Sequence, residues 1–327
     1  MTDLGFLAQL GINPESGVPL PPHWGWYVVL YFFVGGITAG VYAIACALDA
    51  VGDSRDRDAV HLGYIVAFPG VLICGILLIV DLGQPSRFWH MLFRSEHFPA
   101  LAFKPWSPIS LGSWILTVFG GFSFVGFLLA MVETGRLRWR PLVAGHAWWK
   151  GLPDVIRRIW LGLGALAGFG LAGYTGVLMI ATTRPVWHNA YLLGGLLLAS
   201  ALSTSYAFLT LALLRHGRRD GDPTVTKLDD AERWSLSLEI LLLAITLIWL
   251  GGTARPLLTG PFGVLFWVGV VGLGLLVPLW LGRARASSGS VERRAKLRAA
   301  CILVGGLTLR FVFVMAPQWP LVKPWHL

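Results

Sequence analysis

The chain has 327 residues, of which 55% are hydrophobic and only 13% are charged, and it contains 40 Gly and 16 Trp. So little polar surface excludes a water-soluble fold, and Gly and Trp are both favoured in membrane proteins, Gly within helices and Trp at the interfaces. The net charge of +9 does not by itself indicate nucleic-acid binding, because in a membrane protein basic residues first report orientation. The three cysteines lie far apart, which excludes a CxxC motif, a cysteine-ligated iron-sulfur cluster within the chain and a disulfide framework.

Apolar segments long enough to cross a bilayer recur along the whole chain, separated by charged clusters and by Pro or Gly. In chain order they cover residues 25–51, 60–82, 108–133, 157–182, 187–214, 235–253, 261–282 and 298–316. The sequence therefore predicts an all-α integral membrane protein with eight transmembrane helices, forming a single membrane domain over 1–327.

Basic residues are distributed unevenly between the two sides of these predicted helices. The connections after helices 1, 3, 5 and 7 hold 19 Lys and Arg, the other side holds six, and Arg310 lies within helix 8. Cytoplasmic connections retain basic residues, so this asymmetry predicts that both termini lie on the outer side. The basic surface is then expected to face water and lipid headgroups.

Polar and aromatic residues at membrane depth converge on the outer face in this topology. They come from the start of helix 1, the end of helix 2, helix 4, the turn between helices 4 and 5, and helix 8, and comprise His23, Trp24, Trp26, Asp81, Tyr174, Arg184, His188, Asn189 and Arg310. Ionisable residues at such depth are candidates for function, with structural pairing between helices as the ordinary alternative.

Most members of this set have an ordinary structural interpretation as well. Trp24 and Trp26 fit an interfacial aromatic belt, Asp81 fits a turn cap, and Arg310 fits a counter-ion for Asp81. Tyr174 is harder to explain in this way, because a phenol below the interface needs a hydrogen-bond partner. None of the eight histidines lies in mid-span, so the sequence predicts no haem held between two histidines.

Four motifs together give the sequence a recognisable pattern. They are HWGWYVVLYFFVGGITAG at 23–40, DLGQPSRFWHMLF at 81–93, WSPISLGSW at 106–114 and YTGVLMIATTRPVWHNA at 174–190. In this order the chain resembles the NrfD/polysulfide-reductase membrane-subunit family over roughly residues 20–200.

The resemblance implies a quinone-interacting integral membrane subunit of a molybdopterin and iron-sulfur oxidoreductase complex in the bacterial cytoplasmic (inner) membrane. Its eight helices would form two four-helix bundles, over 20–182 and 187–316. The protein would anchor a periplasmic ferredoxin-like iron-sulfur subunit and a molybdopterin catalytic subunit, and would exchange electrons with menaquinone or ubiquinone. It would hold no haem and no iron-sulfur cluster of its own, and the primary substrate would bind to another polypeptide.

The same resemblance places the quinone site at the outer face and implies roles for individual residues. Tyr174 matches a family tyrosine that donates to a quinone carbonyl. A histidine that polysulfide reductase has between two tryptophans is replaced here by Gly25, and His23 lies two residues away. The predicted quinone site comprises His23, Trp24, Gly25, Trp26, Asp81, Arg87, Tyr174, Arg184, His188 and Arg310.

Reduction of a quinone moves two protons with two electrons, so the site needs a carbonyl donor and a titratable group. Tyr174 suits the first role and Asp81 the second, with Arg310 or Arg87 holding the charge of Asp81. The ring is expected between helices 1, 2 and 4, stacked on Trp26 or Phe33.

Hydroxyl and carboxyl groups toward the inner side suggest a proton path to the outer site, with ordinary interhelical hydrogen bonding as the alternative. The candidate path comprises Ser200, Thr204, Glu133 and Glu239. Two other functions stay open at this stage. A transporter would use the polar cluster as a substrate site, although the sequence shows no inverted repeat with paired broken helices, and a structural anchor would have no quinone site of its own.

Overall fold

The computed structural model describes residues 23–94, 100–218, 221–283 and 291–318. Within these ranges the protein is helical, and its only strand-like feature is an isolated bridge between Phe93 and Leu101. Eight helices are long and apolar enough to cross a membrane, which confirms the predicted span count. The predicted placement of the two termini falls on residues 1–22 and 319–327, outside the described ranges.

The eight membrane helices are labelled α1 to α8 in chain order. They are α1 Trp26–Val51, α2 Arg57–Asp81, α3 Pro108–Glu133, α4 Asp154–Ile180, α5 Leu193–Arg215, α6 Pro223–Leu250, α7 Gly260–Gly282 and α8 Val291–Met315. Shorter helices in the connections are Pro85–Met91, Arg140–Gly151 and Pro185–His188. Much of α7 is π-helical, over Leu265–Leu276, which the sequence did not predict.

Three predicted helix starts need correction. Helix α6 begins at Pro223, well before residue 235, because Asp222 caps it by accepting a hydrogen bond from the Thr224 amide and proline favours the first turn. Helix α8 likewise begins at Val291. These extra turns carry charges, so hydropathy does not detect them. Helix α5 begins only at Leu193, because the segment before it forms a separate short helix.

Helix α1 is the most buried of the eight spans and packs against α2, α4, α5 and α8. Neighbouring helices approach one another closely at glycines. A Cβ on Gly40 would lie 2.8 Å from the Ser205 Cβ on α5, and a Cβ on Gly176 of α4 would lie 2.5 Å from the Gly194 amide nitrogen. Small residues at such crossings allow tight helix packing in membranes, so these glycines set how closely α1 and α4 approach α5.

The two ends of the bundle differ in character. At the Asp81 end, where α2 and α4 stop and α1 and α3 start, aromatic rings stack between helices and connections. At the opposite Glu133 end, ion pairs join the helices and their connections: Lys150 lies 2.7 Å from Glu133, and Lys227 lies 2.9 Å from Asp56. In the connection before α6, the hydrogen bond from Arg218 holds the pKa of Asp222 below its ordinary value.

Candidate functional site

A cavity of about 600 Å³ lies at the Asp81 end, between α1, α2, α3 and α4. Its wall is mainly apolar, and the connection after α2 contributes Phe88, Met91 and Leu92. A smaller set of polar side chains also lines it, namely Tyr31, Asp81, Ser107, Ser113, Thr117, Tyr174 and Thr182. An apolar cavity with a few polar groups is typical of a small-molecule binding site.

Tyr174 occupies the wall of this cavity that α3 and α4 share. Its ring lies where a side chain on Gly112 would otherwise be, so the glycine makes room for the phenol. The Tyr174 hydroxyl donates a hydrogen bond of 2.5 Å to the Pro108 carbonyl at the start of α3. The buried phenol therefore has the hydrogen-bond partner that it needs, and this partner is the backbone of α3.

Asp81 is the last residue of α2 and lines the same cavity. Among the described residues it forms no ion pair, so the expectation that Arg310 or Arg87 holds its charge is wrong. Arg87 is exposed on the short helix Pro85–Met91, and Arg310 is bound elsewhere. The carboxyl of Asp81 is thus available to a molecule in the cavity.

Arg310 joins three helices and does not line the cavity. It is 1% exposed and donates to the Phe32 carbonyl of α1 at 3.1 Å, the Ser200 hydroxyl of α5 at 3.1 Å and the Gly306 carbonyl of α8 at 2.8 Å. Its guanidinium carbon lies 5.8 Å from the centre of the Phe33 ring. Phe33 therefore packs on Arg310 and is not the predicted ring-stacking residue of the cavity.

The tryptophans at the start of α1 separate into two environments. Trp24 lines the cavity and stacks on Trp187, with ring centres 4.7 Å apart. Trp26 instead stacks on Phe311 of α8, also at 4.7 Å, and lies outside the cavity wall. Of these two tryptophans, therefore, Trp24 and not Trp26 is placed to contact a molecule in the cavity.

The other predicted site residues lie near the cavity's end of the protein but not on its wall: His23, Gly25, Arg87, Arg184 and His188. Arg184 is buried and donates to the Pro317 carbonyl, and the indole of Trp187 donates to the Phe313 carbonyl at 2.6 Å. Burial lowers the pKa of Arg184. These contacts tie the turn between α4 and α5 to the end of α8.

Two residues at this end were missed by sequence reasoning. The Gln318 side chain accepts from the Trp24 amide at 2.9 Å and donates to the Trp24 carbonyl at 3.0 Å, which fixes the backbone entering α1. No sequence signal marks this contact. Tyr31 lines the cavity, and its spacing of three residues from Val28 on α1 is the helical signal that could have placed the two on one face.

The predicted proton-path residues do not form one group. Ser200, Thr204 and Glu239 lie together: Thr204 donates to the Ser200 carbonyl at 2.8 Å, and Glu239 accepts 2.7 Å from Ser203. Glu133 lies apart at the Glu133 end, 2.9 Å from His61, beside a second cavity of about 240 Å³. Within the described ranges, no group of three or more His, Cys, Asp or Glu is arranged to hold a metal ion.

The protein is similar to known proteins over most of its length. The family described as "Polysulphide reductase, NrfD" matches residues 15–321. A polypeptide of the polysulfide reductase of Wolinella succinogenes is 28% identical, over 90% of this sequence and 94% of the relative. Protein NrfD of Escherichia coli is 29% identical, over 90% and 95%, and a selenate reductase polypeptide of Mesobacillus selenatarsenatis is 22% identical, over 79% and 66%. With eight membrane-spanning helices and a family match over nearly its whole length, the protein belongs to the NrfD polysulphide reductase family of multi-pass membrane proteins.

Proposed function

We propose that this protein is the membrane anchor and quinone-reactive subunit of a multi-subunit respiratory oxidoreductase. It would pass electrons between the membrane quinone pool and a periplasmic iron-sulfur subunit. The observation that carries the proposal is the cavity at the Asp81 end, which holds a buried phenol and a carboxyl without an ion-pair partner among the described residues. The names of two relatives, which describe parts of a polysulfide reductase and of a selenate reductase, support membership of such a complex.

The cavity fits a quinone head in size and chemistry. Its volume of about 600 Å³ lies within the range of roughly 300 to 1,000 Å³ typical of small-molecule sites. The wall is apolar apart from a few groups that can contact ring oxygens. Ile109, which is 59% exposed on α3, also lines it, so the cavity extends toward the membrane-facing surface of the helices. An apolar ligand from the bilayer would suit that position.

A bound quinone would supply two-electron, two-proton carbonyl chemistry at this site. The protein's own residues would position the ring and manage its protons. Tyr174 would hold one ring oxygen, and the Asp81 carboxylate would accept and return a proton at the mouth of the cavity. Phe88, Met91 and Leu92 on the connection above would exclude bulk water. The quinone could be menaquinone or ubiquinone.

The charge asymmetry supports one orientation of the protein in the membrane. With 19 basic residues on one side and six on the other, the Asp81 end would face outward from the inner membrane. An iron-sulfur subunit and a molybdopterin subunit would bind there, close to the cavity. The helices would form two four-helix bundles, over residues 20–182 and 187–316. The packing of α1 against α5 would then be part of the interface between the two bundles.

A proton path through Ser200, Thr204, Glu133 and Glu239 stays a prediction. The separation of Glu133 from the other three favours electroneutral turnover at the outer face as the simpler mechanism. Proton release measured in sealed liposomes during turnover would distinguish the two.

Tyr174→Phe tests the proposed function. Without its hydroxyl, the protein would lose a buried hydrogen-bonding group at the ring, so we expect quinone-coupled turnover to fall about 5- to 150-fold. Activity of the partner subunits with artificial dyes should stay intact. Tyr191→Phe is the matched control, because Tyr191 is exposed and lies outside the cavity wall. Normal quinol kinetics in Tyr174→Phe would overturn the assignment.

A further inference from the structure

Tyr31 places a second phenol in the cavity, on the wall opposite α3. It is only 1% exposed, and its ring lines the cavity together with Trp24 and Val28. Val28 and Tyr31 are three positions apart and share one face of α1, and Trp24 lies just before the helix begins. That face of α1 is therefore turned toward the cavity.

The Tyr31 hydroxyl differs from those of the other buried tyrosines. Tyr42 donates to the Phe122 carbonyl at 3.0 Å, Tyr64 to Asp49 at 3.2 Å, and Tyr174 to Pro108 at 2.5 Å. Within the described part of the protein, the Tyr31 hydroxyl has no hydrogen-bond partner. Buried hydroxyls are nearly always paired, so the cavity is where its partner is expected.

The depths of the two cavity phenols match. Tyr31 lies five residues after the start of α1 at Trp26, and Tyr174 lies six residues before the end of α4 at Ile180. At 1.5 Å per residue these positions are roughly 7.5 and 9 Å from the Asp81 end. Two phenols that line one cavity at similar distances from the ends of their own helices are placed to contact two oxygens of one ring.

We propose that the Tyr31 hydroxyl is a hydrogen-bond donor to a ring oxygen of the quinone in this cavity, opposite the oxygen held by Tyr174. The inference rests on the proposed function and adds a residue to it. Tyr31 has no hydrogen bond with a described residue to give up, whereas the Tyr174 hydroxyl would exchange its hydrogen bond with the Pro108 carbonyl for one with the ring. Tyr31 keeps its own proton throughout: it donates to the oxidised ring and accepts from the ring hydroxyl of the reduced form.

The test is Tyr31→Phe in the intact complex, with rates normalised to the amount of assembled complex. We expect the KM for a short-chain naphthoquinol, and the Kd for the corresponding naphthoquinone, to rise about 2- to 10-fold, the loss typical of one neutral hydrogen bond. The Kd is measured by quenching of tryptophan fluorescence, since Trp24 lines the cavity. The kcat at saturating quinol should change less than the KM.

Tyr42→Phe is the matched control, because it removes a hydroxyl from the same helix that is bonded to Phe122, outside this cavity. Its Kd should equal that of the unmodified protein. In the double variant Tyr31→Phe with Tyr174→Phe, the two effects on Kd should multiply, since the phenols hold different oxygens.

Each result decides the inference. An unchanged Kd in Tyr31→Phe overturns it, while a loss in Tyr174→Phe alone leaves the proposed function standing. An equal rise in Tyr42→Phe would show a structural effect and also overturn it. If the unmodified complex fails to bind naphthoquinone, the proposed function fails and this inference fails with it.

Discussion

Gly75→Phe is expected to reduce the kcat/KM for quinol about 5- to 150-fold, because the new ring would occupy the cavity. Gly75 lies on α2 and lines the cavity, and a Cβ added there meets no atom within 4 Å. The first atom of the new side chain therefore meets no clash, and from this wall its ring can extend into the cavity. Filling a space that a ligand must use costs that ligand on the order of 1 to 3 kcal/mol, which corresponds to the stated range. The measurement is steady-state quinol kinetics of the complex in membranes.

The matched control is Gly121→Phe on α3. Gly121 is exposed, and a Cβ there also meets nothing within 4 Å, but it does not line the cavity. The same change in volume on the membrane-facing surface should leave the kinetics unaltered. If both glycine variants kept the quinol kinetics of the unmodified complex, the reaction would take place elsewhere in the complex.

The span count was predictable because crossing a bilayer requires a long apolar segment, which hydropathy measures directly. The starts of α6 and α8 were not, because their first turns are charged and lie beyond the apolar segment. The cap formed by Asp222 and Pro223 was readable in the sequence, but a rule based on hydropathy alone does not use it.

The candidate site was predictable in part. Trp24, Asp81 and Tyr174 line the same cavity, and the sequence motifs and their expected depth in the membrane had already grouped them. Trp26 and Arg310 lie at the same end, but they face α8 and α5 instead.

Hydropathy indicates how deep a residue lies in the membrane. It does not indicate which side of the helix the residue occupies, and so which neighbouring helix it faces. In a helix that is apolar on all sides, such as α1, the hydrophobic pattern leaves the rotation undetermined. That is also why Tyr31 was missed.

The corrected position of Arg310 links the site to the rest of the fold. By donating to the Phe32 carbonyl, it holds α1 one residue after Tyr31, and it connects this point to Ser200 on α5. Glu239 of α6 is buried, accepts from Ser203 and interacts electrostatically with Arg310. The rotation of α1 that directs Tyr31 into the cavity therefore depends on a buried charge that lies outside the cavity.

Arg310→Met is accordingly expected to destabilise the protein by about 1 to 3 kcal/mol, the range for leaving buried hydrogen-bonding groups without their partner. The variant leaves the Phe32 carbonyl and the Ser200 hydroxyl without their donor, and it leaves Glu239 without a cation. The effect would be measured by heating the detergent-solubilised protein and monitoring the loss of soluble, folded protein.

Arg215→Met at the exposed end of α5 is the control, and it should have a stability close to that of the unmodified protein. Adding Glu239→Gln to Arg310→Met should restore part of the lost stability, because the remaining carboxyl is then neutral. A double variant less stable than Arg310→Met alone would contradict the electrostatic coupling, and the hydrogen bonds to α1 and α5 would then account for the stabilising role of Arg310.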